Sequence, residues 1–287
     1  IGGSVNLVTK KPFELKNRVI VATAEGNFNT QQQQGSSITP KLSLTYGDKW
    51  NDKFGIIAGV FYNKFFNNSE GYDVTRYYDE SYDLDGDGTD EYQDIQIPRP
   101  RYLSEGQEVE RLSLNLSLQF QANKDFNVVF NGLFVNNDQI NTRYSPLWFL
   151  PGSNASNIIA DGPFVKSITY ETVLSKLENQ RQSNVTKNYR WSIKGKYNLH
   201  NGWKASLKYI HAFNKRDSER FRYYADNINT ATYNIENDIE FFDLQTPTNF
   251  SDPDEFVMSQ ARRYVWDYSD EIFTSKLDIS KKFNNSF

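Results

Sequence analysis

The chain has 287 residues, 32 of them Lys or Arg and 36 Asp or Glu, for a net charge of −4. That balance leaves no electrostatic footprint for nucleic acid, and the absence of Cys excludes disulfides and thiolate metal sites. No run of roughly 18 apolar residues occurs, so nothing reads as a transmembrane helix. The chain starts at Ile1 without a Met and stops at Phe287 inside an alternating pattern, which reads as a fragment.

In chain order, Val5 to Thr9 is a short β-rich run ended by Lys10-Lys11-Pro12. Strand candidates follow at Arg18 to Phe28, Lys41 to Tyr46 and Phe54 to Phe66, the last two joined by a short turn around Asn51-Asp52. A long polar stretch, residues 67–107, leads to the clearest strand of all, Arg111-Leu112-Ser113-Leu114-Asn115-Leu116-Ser117-Leu118-Gln119-Phe120. Every second residue there is large and apolar, the period of a β-strand with one apolar and one polar face. A turn at Asn123-Lys124-Asp125 joins it to Phe126–Ile140. After a second long stretch, 141–185, come Tyr189 to Leu199, the turn His200-Asn201-Gly202, and Trp203 to Phe213. A third long stretch, 214–261, precedes the last strand, Ile272 to Phe283.

About eight strands are thus joined alternately by turns of a few residues and by long excursions. Transmembrane β-barrels show this grammar, with short turns at one end and long loops at the other. Aromatics beside the short turns (Trp50, Phe54, Phe126, Trp203, Phe283) suit an interfacial girdle. A soluble β-sandwich would place the same Leu stripe in a core.

The opening Gly2-Gly3-Ser4-Val5-Asn6-Leu7-Val8-Thr9-Lys10-Lys11-Pro12 resembles the end of the plug domain in TonB-dependent outer-membrane receptors. The resemblance implies an all-β antiparallel barrel: residues 1–13 end the plug and 14–287 begin the barrel wall, with extracellular loops at about 67–107, 141–185 and 214–261. The family's barrel has about 22 strands, so this chain would supply only part of one. The implied activity is active uptake of a scarce solute across the outer membrane, driven by TonB acting through the N-terminal part of the receptor. The implied surroundings are outer-membrane lipid. The stretches Ile97-Pro98-Arg99-Pro100-Arg101-Tyr102 and Asp267 to Phe283 are similar to a Xanthomonas- and Caulobacter-type branch linked to oligosaccharide uptake. A ferric-siderophore receptor is the alternative, and a soluble secreted glycan-binding β-protein is the alternative of another class.

One local motif has metal-ligand spacing. Asp83, Asp85 and Asp87 stand at positions 1, 3 and 5 of a Ca²⁺ loop, Gly88 at 6, Thr89 at 7 and Asp94 at 12. Such spacing wraps hard oxygens around one point, with Thr89 contributing its backbone carbonyl; a solvated acidic loop would look alike. Rings in the long stretches, chiefly Tyr144, Trp148, Phe149, Tyr223, Tyr224 and Trp266, are candidate ligand contacts, since a sugar's apolar face stacks on aromatics. Trp148 is the first choice, on the expectation that it sits exposed in a loop. Nothing suggests catalysis: the two histidines, His200 and His211, have no partner implied by spacing.

Overall fold

The structure, a computed structural model, describes residues 10–30, 36–150, 154–199, 201–234 and 243–282. Ten strands form one sheet: β1 (Val19–Phe28), β2 (Ile38–Trp50), β3 (Phe54–Tyr82), β4 (Tyr92–Asn123), β5 (Phe126–Phe149), β6 (Ala155–Asp161), β7 (Phe164–Asn198), β8 (Trp203–Asn234), β9 (Asp243–Gln245) and β10 (Val257–Lys281). The main path is β1-β2-β3-β4-β5-β7-β8-β10, antiparallel at every step, with β6 added to β7 and β9 to β8. Its eight strands are the eight the alternation marks. Among the described residues β1 and β10 have one strand neighbour each, so the sheet is open.

The short turns follow from residues that tolerate left-handed backbone. Asn51 and Asp52 have φ of 49° and 48°, and Asn201 and Gly202 have 59° and 78°, the sign a two-residue hairpin turn requires. At the third turn Asn123 Oδ1 accepts hydrogen bonds from the backbone N–H of Asp125 and Phe126, both at 2.9 Å.

At the other end the structure corrects the expected irregular loops. Strands β3, β4, β7 and β8 run for 29, 32, 35 and 32 residues, about three times what a barrel strand needs to cross a bilayer. Residues 67–82 pair with 92–107, and the ladders of β5, β7 and β8 likewise continue through most of the second and third long stretches. Alternation fades just above the short-turn end, where residues 67–70 and 105–108 are polar on both faces. Directly opposed charges support the ladder: Asp73 with Arg101 and Glu105 with Arg143, each at 2.6 Å, and Asp226 with Lys176 at 2.8 Å.

Near the short turns the two faces of the sheet differ in kind, with His211 and Glu271 the polar pair on the apolar one. Register aligns Leu44, Val60, Leu114, Phe134 and Tyr189 across five neighbouring strands, and Phe54, Phe120 and Val128 one end lower. This apolar face is open: Leu114, Ile193 and Leu207, all on strands paired at both edges, are 43%, 43% and 58% exposed. The opposite face is polar and in part covered: Ser117, Gln119 and Ser192 are each at 9% or less, whereas Asn115 is exposed. Along β4 the belt runs from Leu112 to Phe120, and rings flank its lower rim, Trp50 stacked on Phe54 at 5.6 Å and Phe126 against Tyr197 at 6.1 Å.

Most of the buried apolar side chains lie at the far end. Ile97, Leu150, Ile168, Tyr170, Val173 and Tyr233 are nearly inaccessible and belong to one cluster. Its hydroxyls are paired, Tyr82 with Tyr170 at 3.2 Å and Tyr92 with the Ile158 carbonyl at 2.8 Å. Burial pushes the Tyr170 phenol far above its ordinary value.

Upstream of β1, Pro12–Glu14 make a short 3-10 turn pressed on the polar face. Glycines make the room: a Cβ on Gly55 would stand 2.6 Å from Pro12, and one on Gly47 2.9 Å from Leu15. The Phe13 N–H donates to Gln119 Oε1 at 3.1 Å. The expected plug strand, Val5 to Thr9, lies outside the described residues.

Candidate functional site

Above the belt, the polar face carries side chains at period two. On β7 these are Gln180, Gln182 and Asn184; on β8, Arg216, Ser218, Arg220 and Arg222. Register sets Gln180 opposite Arg222 and Gln182 opposite Arg220. Strand β5 adds Asn141 and Arg143, β4 adds Glu105 and Gln107, and β10 lays Tyr264, Trp266 and Tyr268 against Arg220, Ser218 and Arg216.

Two adjoining clefts result, of about 430 and 470 Å³, sharing Gln182 and Arg220. In the first, amides and guanidiniums hold one another. Gln107 donates to Asn141 at 3.1 Å, and Arg222 donates twice to Gln180 Oε1, at 3.1 and 2.7 Å. Arg143 is paired with Glu105. Buried Glu178 stands 3.9 Å from Arg143 and 3.6 Å from Arg222, a Coulombic contact without a hydrogen bond to that oxygen. In the second cleft Arg220 donates to Gln182 at 2.9 Å and Arg216 to Asn184 at 3.1 Å. The Arg220 guanidinium lies 5.0 Å from the Trp266 ring, within cation–π range. Burial, then the charges of Arg222 and Arg143, pull the Arg220 guanidinium below its ordinary value. Tyr264 stacks on Trp266 at 5.6 Å and 4°. Hydrogen-bonding amides, cations and flat rings on one surface can hold a polyhydroxylated or anionic solute.

The expected ring contacts scatter. Tyr224 and Trp266 come to this face, Tyr224 accepting from Arg222 at 3.1 Å. Tyr144 and Tyr223 sit one residue out of phase with Arg143 and Arg222, on the opposite face, and both are exposed. Trp148 is not exposed in a loop: it lies in β5, only 7% accessible, packed in the far-end cluster 5.2 Å from Phe250. Phe149 is half-buried with Arg99 3.8 Å from its ring. The arginines of β8 escaped the sequence reading, although Arg216-x-Ser218-x-Arg220-x-Arg222 keeps strand period and was the available signal.

The acidic loop joins β3 to β4. Asp83, Asp85 and Glu91 each bring a carboxylate oxygen within 4.8 Å of the others. Asp83 also accepts from the N–H of Gly86 and Gly88, at 2.6 and 2.8 Å, and these glycines have φ of 78° and 89°. Asp87 and Asp94 stand outside that triad; Asp87 accepts from Thr89 N–H at 2.7 Å. Three carboxylate oxygens gather in this exposed turn, a set that could hold a hard cation in part, and Asp94 is not among them. His211 accepts from Trp191 Nε1 at 2.9 Å and its Nε2 meets Glu271 at 2.8 Å. Trp is only a donor, so Nδ1 accepts and Nε2 is the nitrogen turned to Glu271. His200 lies outside the described residues.

No protein-family model, no curated protein and no solved structure matches the chain.

Proposed function

We propose that the chain forms the plug end and first part of the barrel wall of a TonB-dependent outer-membrane transporter, whose cargo is an oligosaccharide. The carrying observation is the inverted sidedness of the sheet: exposed Leu114, Ile193 and Leu207 on one face, covered Ser117, Gln119 and Ser192 on the other. Water penalises that distribution at about 25 cal/mol per Å² of exposed apolar surface, whereas a bilayer outside and an aqueous lumen inside favour it. Along β4 the belt, nine residues from Leu112 to Phe120, has the length of a tilted crossing. Further strands would pair with the open edges of β1 and β10, since an unpaired edge in lipid leaves backbone groups unsatisfied.

On this reading the extended hairpins rise outside the cell and the amide- and arginine-lined clefts meet the solute. Hydroxyls pair with Gln and Asn side chains, and a sugar ring stacks on Trp266 or Tyr264. The transporter makes and breaks no covalent bond; TonB would withdraw the plug to open the path. The same arginines favour a second reading, an anionic ferric chelate.

Cell fractionation and growth test both. The intact protein should sediment with outer membranes and require detergent for extraction, and its deletion should slow growth on oligosaccharides with iron in excess. A defect confined to iron limitation would replace the sugar by a chelate. Extraction without detergent would return the sheet to a soluble glycan-binding protein.

A further inference from the structure

We propose that Arg216 and Arg220 form a subsite for an anionic group on the cargo, so that the solute taken up is an acidic rather than a neutral glycan; this rests on the transporter reading above. The observation is one of unequal pairing. Arg143, in the first cleft, has Glu105 at 2.6 Å, and Arg143 and Arg222 share buried Glu178. Arg216 and Arg220, which line the second cleft, have no carboxylate within 4.0 Å among the described residues. Their hydrogen-bond acceptors are the neutral amide oxygens of Asn184 and Gln182.

An amide orients a guanidinium without cancelling its charge. Four guanidiniums therefore meet two carboxylates across the two clefts, and the surplus lies where Trp266 and Tyr268 form the wall. Each of the two arginines spends one N–H on its amide and retains others of its five for a planar acceptor. A carboxylate matches that fork. The cleft of about 470 Å³ is of a size that takes small ligands. The ring beside the guanidinium gives the attached sugar an apolar face to lie on. A neutral sugar would leave the charge surplus unanswered.

The test uses the full-length protein in detergent micelles and three probes: trigalacturonate, its methyl ester with the same ring hydroxyls but no charge, and citrate as a polycarboxylate without a sugar. Calorimetry should show trigalacturonate binding at least about tenfold more tightly than the ester, with the preference shrinking as NaCl rises. In Arg216→Gln/Arg220→Gln the ratio should collapse to about one, while Arg220→Lys keeps part of it. Unchanged far-ultraviolet circular dichroism establishes that the variants are folded. Equal binding of acid and ester, a preference that survives the double substitution, or binding of none of the three overturns the subsite. Citrate binding that depends on both arginines, with no binding of either glycan, upholds the subsite and removes the oligosaccharide.

Discussion

An arginine walked along β4 would measure where the bilayer lies. Leu112 to Phe120 spans eight residue steps, about 27 Å along the strand at ~3.4 Å per residue, or roughly 19 Å of depth at a tilt near 45°. Leu116 then stands at mid-depth. Its lateral neighbours are Ala58 and Gly132, too small to shield an introduced charge. Leu116→Arg should cost about 2–4 kcal/mol, and Leu112→Arg and Phe120→Arg about 0–1 kcal/mol for the charge at the rims. Asn115→Arg, exposed on the polar face, should cost ~0.5 kcal/mol or less. Urea unfolding of the full-length protein from lipid vesicles reads these directly. A flat profile from Leu112 to Phe120, or an equal cost at Asn115, would refute the lipid belt, because a protein core has no midplane.

Calorimetry should find one Ca²⁺ bound at the β3–β4 turn, lost in Asp83→Asn/Asp85→Asn and weakened about tenfold in Glu91→Gln; a larger loss in Asp94→Asn would restore the register read from spacing. Trp148→Ala should destabilise the far-end cluster by about 3–5 kcal/mol, seen as a lowered unfolding midpoint, rather than remove a ligand contact. Gly55→Val should push Pro12 off its seat and raise hydrogen exchange at Phe13, at a cost of about 1–3 kcal/mol.

The sheet path was legible because the two faces of Leu112 to Phe120 differ in polarity residue by residue, so the segment announces its period. Asn67 to Glu70 and Glu105 to Glu108 announce nothing. Both faces of those segments are polar, and their pairing rests on backbone ladders and on opposed charges brought together by register, which no local window contains. The candidate site has the same origin. Gln182 and Arg220 are 38 residues apart in sequence, and Trp266 arrives from a further strand. Trp148 was misjudged because a ring assigned to a loop looks exposed, although Leu147, Phe149 and Leu150 beside it were a local sign of burial, and distant Phe250 is packed against it. The Asp-rich turn was legible as a turn, but that Glu91 rather than Asp94 gathers with Asp83 and Asp85 depends on the fold of the loop.

The seat of Pro12 and Leu15 decides how this sheet would bear tension. β1 is an edge strand whose bonds to β2 form a ladder beginning at Val19. A pull on a free N-terminus would open that ladder one rung at a time, the geometry in which β-structure is weakest. Here the pull meets Pro12 against Gly55 of β3, the Phe13 N–H on Gln119 of β4, and Leu15 against Gly47 of β2 before it reaches Val19. Three strands share the load at once, and they carry it across the face of the sheet. A load applied at Lys10 therefore reaches these three contacts before it reaches the β1–β2 ladder.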